Sequence, residues 1–180
     1  MSPYDSAIMA TYRTIDEIDN QLTGLRTRRV WEYWRRQAGS APAPSWNNIK
    51  LIDLYRDAPI MLVLDVLLRP DVADFRYRFV GTTIVQNRWK LDTPDHTGLT
   101  YFEVSHQYDF QEVKESYDRC VSAGHPILLQ RSFETYDASG THERLILPIQ
   151  EPSGDVDKLI VVVERLKERK TSRPSDPILF

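Results

Sequence analysis

The chain has 180 residues, 41% hydrophobic and 27% charged, with a formal net charge of -3. That length suits one compact domain with tails, and the apolar content suffices for a core, which excludes wholesale disorder. The mild acidity excludes a global field that draws in nucleic acid, and no apolar run reaches the roughly 20 residues that span a bilayer.

The single cysteine, Cys120, cannot form an internal disulfide, which fits a reducing compartment. The first residues lack the basic start and apolar stretch of a secretory signal, so a cytoplasmic protein is expected.

The first element reads as a helix. Thr14–Glu17 has the form of a capping box, and Ile15, Ile18, Leu22 and Leu25 follow at helical spacing, with Gly24 placed to break the segment. A second helix carries Val30, Trp31 and Trp34 on one face and Arg28, Arg29, Arg35 and Arg36 on the other; the run from Gly39 to Ser45, with two prolines, ends it. A turn of helix over residues 49–54 leads into the core. Residues 58–68 are almost wholly apolar and read as a strand buried on both faces. After a turn at 69–74, Phe75, Tyr77 and Phe79 alternate with Arg76 and Arg78, the pattern of a half-buried antiparallel partner. Thr82 is placed to cap a short helix carrying Ile84, Val85 and Trp89.

Residues 91–107 are irregular. From Tyr108 a longer helix presents Phe110, Val113, Tyr117, Cys120 and Val121 as one stripe and ends at Gly124. Strands are expected over 126–136, 142–150 and 158–166, joined by turns at 137–140 and 152–155, with a mobile tail from Glu168. The fold class is α+β: a five-stranded antiparallel sheet covered by short helices, with an N-terminal helical extension. The expected divisions are 1–45 for the extension and linker, 46–167 for the sheet domain and 168–180 for the tail.

This order resembles the PAS fold, and in particular a bacterial subfamily of stand-alone PAS proteins. The resemblance rests on Tyr33-Trp34, the link Pro42–Ser45, the strand Met61–Asp65, the run from Phe75 to Thr82 and the pair Thr97-Gly98, and spans residues 28–165. The segment Asp92–Thr97 is longer than its counterpart in that subfamily. The resemblance implies a sensory or regulatory domain that signals by binding a ligand or a protein, with no reaction of its own.

The candidate ligand pocket lies between sheet and helices, lined by Tyr77, Phe79, Trp89, Tyr101, Phe102, Tyr117, Leu147 and Val161; ordinary core packing is the competing account of the same residues. His96, His106, His125 and His142 are read as solvated or capping groups, with haem ligation by His96 or His106 the alternative. No cofactor is named. Cys120 is read as a small buried hydrophobe. Ile18, Leu22, Leu25, Trp31 and Trp34 are the candidate seam of a homodimer or of a contact with a separate signalling protein; neither nucleic acid nor membrane insertion is expected of the basic helix beside them. Two alternatives stay open: a ligand-free structural adaptor, and a small cavity enzyme of the isomerase or dehydratase kind using a His–Asp pair such as His142 with Asp65.

Overall fold

The computed structural model of the chain describes residues 15–68, 73–88, 91–107, 111–134 and 138–170. Trp89, the expected cap Thr14 and the segment 171–180 lie outside them. The described elements run α1 (Ile15–Gln21), α2 (Leu25–Ala38), β1 (Met61–Leu68), β2 (Ala73–Val80), α3 (Thr82–Asn87), α4 (Tyr101–Val104), α5 (Gln111–Ala123), β3 (Ile127–Glu134), β4 (Ala138–Gln150) and β5 (Val156–Lys170). Short 3₁₀ turns at Trp46–Asn48, Leu51–Leu54 and Ala58–Ile60 carry the chain from α2 into β1.

The five strands form one antiparallel sheet in the order β2-β1-β5-β4-β3. The β1–β2 hairpin and the C-terminal meander therefore meet at the β1–β5 seam, with Leu62 opposite Val161 and Leu64 opposite Leu159. This is the five-stranded antiparallel α+β arrangement expected from the strand grouping.

The sheet is covered on both faces, which explains why its central strands have no polar alternation. Met61, Leu62, Val63 and Leu64 are each at most 1% exposed, and Leu145, Ile146, Leu147 and Ile149 are fully buried. The inner face packs Leu62, Leu64, Phe75, Tyr77, Ile146 and Val161 against Tyr101, Val104, Tyr117 and Cys120 of α4 and α5. The outer face packs Met61, Leu128, Leu145, Leu147, Ile160 and Val162 against Ile18, Leu22, Val30, Trp31 and Trp34 of the N-terminal helices. Trp31 and Trp34 stack with centroids 5.5 Å apart, and the Trp34 indole donates to the Pro148 carbonyl at 2.8 Å. Each ring buries about 150–250 Å² of aromatic surface, an upper bound near 4–6 kcal/mol apiece at ~25 cal/mol per Å².

Several sequence expectations need correction. The extension is the sheet's second cover, so Ile18, Leu22, Trp31 and Trp34 of the expected seam are buried in the chain's own core and only Leu25, 76% exposed, is on the surface. The expected turn at 137–140 is strand from Ala138, and β5 runs through Glu168 to Lys170, paired with Ala138–Gly140. Charged residues at that end hid a strand that alternation alone did not reveal. Gly81, and not Thr82, is the residue preceding α3.

Candidate functional site

The inner face carries a group of polar side chains set among apolar ones, and β2, α3, α4, α5 and one loop assemble it. β2 supplies Tyr77, whose backbone also fixes the loop that follows: Gly98 N donates to Tyr77 O at 2.7 Å and Tyr77 N to Leu99 O at 2.9 Å. Gly98 has φ +89°, a left-handed conformation that favours glycine. Asp95 accepts from Thr97 N at 2.9 Å and Thr97 Oγ1 at 2.7 Å, bonds that hold its carboxyl below the ordinary range. The segment expected to be irregular is thus tied to β2 and brings His96 against Tyr77, rings edge-to-face at 5.2 Å.

α3 ends where Arg88 N donates to Val85 O, which aims the Arg88 side chain at the same place. Its Nη1 lies 3.0 Å from His96 Nδ1, and its guanidinium carbon sits 5.7 Å from the Tyr77 ring centroid. A guanidinium only donates, so Nδ1 accepts and the imidazole is neutral. Burial, and next the Arg88 charge, push the His96 pKa down to about 4. His96 is fully buried, which corrects the expectation of a solvated or capping group. Its ring is also hydrogen-bonded to the Thr93 backbone, so both Arg88 and the loop hold it in place.

Tyr101 and Tyr117 complete the group. Thr100 caps α4 in a full capping box, Thr100 N donating to Glu103 Oε2 at 2.7 Å and Glu103 N to Thr100 Oγ1 at 3.4 Å, which orients Tyr101 inward. Asp74, buried at the start of β2, accepts from Phe102 N at 3.4 Å and ties α4 to the sheet. Tyr117 meets Phe75 edge-to-face at 5.3 Å. Burial raises the hydroxyls of Tyr77 and Tyr101, and each is raised further by the Tyr117 hydroxyl. Arg144 of β4 is near enough to act in the opposite sense on both tyrosines, and it disfavours the charge on Arg88.

Of the eight expected lining residues, Tyr77, Tyr101, Tyr117 and Val161 meet here. Phe79 does not. β1–β2 pairing steps from Val63–Phe79 to Leu64–Tyr77, leaving Arg78 as an extra residue on β2. This bulge reverses the alternation, and Phe79 packs toward the N-terminal helices. Leu147 also lies on that outer face, because a strand apolar at every position from Leu145 to Leu147 gives no phase. Phe102 is 45% exposed, on the outside of α4. An open depression of about 340 Å³ lies elsewhere, bounded by Ile15, Glu32 and the C-terminal end of α2.

Arg88 and Arg144 are site residues that sequence reasoning missed, and His96 was singled out there but given a different role. Arg144 had a usable signal: it shares parity with Ile146, so a charge interrupts the inner apolar row. Cys120 is buried as expected; its thiol donates to Ile146 O at 3.9 Å and burial raises its pKa, which keeps it inert. The proposed Asp65–His142 pair does not exist. Asp65 accepts from Arg78 Nε at 2.8 Å and sits opposite Lys158, whereas His142 sits opposite Arg165. Seven residues of β5 separate those positions, about 23 Å of strand.

The basic face of α2 is likewise engaged internally. Arg26 and Arg29 bind Asp57, Arg35 binds Asp19, and Arg28 donates to the Asp19 and Leu22 carbonyls.

No family model matches the sequence, and no curated protein matches it. Among solved structures it is similar to one described as the structure of an RNA-binding Light-Oxygen-Voltage receptor, with 20% identity and a TM-score of 0.37. That match covers 63% of this chain and 31% of the other, so the chain corresponds to less than a third of that receptor chain's length.

Proposed function

We propose that this chain is a sensory or regulatory module that takes up a small molecule on the inner face of its sheet and answers by changed association, without catalysing a reaction. The observation that carries this reading is the meeting of Tyr77, Tyr101, Tyr117, Arg88 and neutral His96 from β2, α4, α5, α3 and one loop. Phenol hydroxyls and guanidinium groups on an apolar wall orient a ligand by hydrogen bonds while the rings bury its body.

The same groups are poor catalysts at neutral pH. The raised Tyr77 and Tyr101 hydroxyls stay protonated, and the lone pair of His96 Nδ1 already accepts from Arg88. The output we infer is contact with a second copy or with a separate signalling protein. Of the five residues expected at such a seam, Leu25 is the one available on the surface. A ligand shifts association only by its differential affinity for two states, so the site must differ between them.

The test is a thermal-shift screen of a metabolite library against the wild type and Tyr117→Ala, with light scattering on every compound that stabilises. The reading expects at least one compound whose stabilisation is lost in Tyr117→Ala and which alters the scattering mass. No stabilising compound, or stabilisation with mass unchanged in the presence of candidate partners, contradicts it.

A further inference from the structure

We infer that the inner-face site is built for the anionic head group, carboxylate or phosphate, of a small ligand with an apolar body; this rests on the sensory reading above. Two arginines belong to this face of the sheet, and the charge of Arg144 disfavours that of Arg88. Arg88 comes from the end of α3 and lies over the Tyr77 ring. Arg144 comes from β4, in the strand register that places it opposite Leu129 and Val163, residues of the inner-face cluster. Like charges brought together in an apolar layer repel and lose hydration. The Arg144 guanidinium makes no side-chain hydrogen bond or ion pair with any described residue. The remaining neighbours, the hydroxyls of Tyr77, Tyr101 and Tyr117, can all donate a proton to an acceptor. His96 contributes no positive charge of its own, because it is neutral and accepts from Arg88. A pair of guanidinium forks flanked by phenol donors fits an anion and rejects a cation. Phe75, Val161 and Cys120 around it are apolar and fit the ligand's body.

The Arg144 charge disfavours that of Arg88, which is already bonded to the Tyr77 side chain and to His96. Replacing Arg144 then gives an unusual result: most changes of a partly buried residue destabilise, but this one relieves repulsion.

The experiment uses the full chain and four compounds that share a ring and differ in head group: benzoate, phenyl phosphate, benzyl alcohol and benzylamine. Thermal unfolding and calorimetric titration are recorded for the wild type and for Arg144→Gln. The inference expects benzoate or phenyl phosphate to raise the wild-type midpoint and the other two to leave it unchanged; which of the two anions acts distinguishes carboxylate from phosphate. It expects Arg144→Gln to raise the ligand-free midpoint by about 2–4 °C and to lose the anion response. Stabilisation by benzyl alcohol or benzylamine without either anion overturns the anionic head group and leaves the sensory reading standing. A drop in the ligand-free midpoint of Arg144→Gln together with no response to any of the four overturns the inference. Loss of the Tyr117-dependent response across the whole library is what removes the sensory reading itself.

Discussion

His96 shows how one residue's chemistry follows from where the backbone delivers it. The loop bonded to Tyr77 buries an imidazole whose pKa falls from 6.5 to about 4. A base with a depressed folded pKa gives stability that is complete above pH 6.5 and is lost as pH falls through 6.5 toward 4, because the unfolded chain binds the proton first. Arg88, and Asp95 acting the other way, are the charges bearing on it. Denaturant titrations at pH 7.5 and pH 4.5 should show a loss of roughly 2 kcal/mol in the wild type, and a smaller loss in His96→Gln. Equal pH dependence in the two proteins would contradict a buried neutral His96. Gly24 is a second single-residue case. A Cβ there would lie 2.2 Å from Glu164 Oε2 and 2.8 Å from Glu143 Oε1. Gly24→Ala should lower stability by about 1–3 kcal/mol in chemical denaturation, and an unchanged midpoint would mean that the two carboxylates are not fixed. At this scale the sequence was a partial guide. Tyr77 and Tyr117 were legible because they sit in periodic elements, whereas His96 lies in a loop whose path is set by bonds to a distant strand.

At the scale of elements, α2 is held at its start by the sheet. Its free N-terminal N–H groups are satisfied by two carboxylates projected from the sheet. Glu143, fully buried, accepts from Thr23 N, Thr23 Oγ1, Gly24 N and Gln130 Nε2 at 2.9–3.1 Å. Glu164 accepts from Arg26 N, Thr27 N and Thr27 Oγ1 at 2.9–3.0 Å. The two residues are cross-strand neighbours, so their charges repel, and seven donors together with the helix dipole offset that repulsion. Glu143→Gln, which turns an acceptor into a donor against Thr23 or Gly24, should cost about 1–3 kcal/mol in urea unfolding; a change within ~0.3 kcal/mol would show that the clamp is dispensable. The amphipathic pattern of α2 correctly gave its buried face. It could not say what that face packs against, since helical spacing carries no information about the partner. A dimer seam and the chain's own sheet produce the same stripe. The bulge at Arg78 was similarly invisible, because one extra residue changes pairing without changing the alternation read along the strand.

For the whole molecule, the consequence is a sheet shielded on both faces, with the polar site on one and the clamped helices on the other. Removing residues 1–40 uncovers Leu128, Leu145, Leu147, Ile149, Ile160 and Val162 at once. The truncated chain should aggregate or form ill-defined oligomers, as large exposed apolar patches do. A soluble, well-folded monomer on size-exclusion chromatography would show that the extension is not part of the core. The α+β class and the pairing of hairpin with meander were legible because turns and apolar runs mark strands. The site was only half legible, because it depends on which face each strand presents.

The most direct test is a crystal structure of the full chain grown with 10-fold excess benzoate or phenyl phosphate over its measured Kd. An anionic head group bound by Arg88 and Arg144, with its ring against Tyr117 and Val161, is the expected result. A ligand bound only elsewhere, with Arg144 turned to solvent and the three tyrosines packed as they are, would contradict the account.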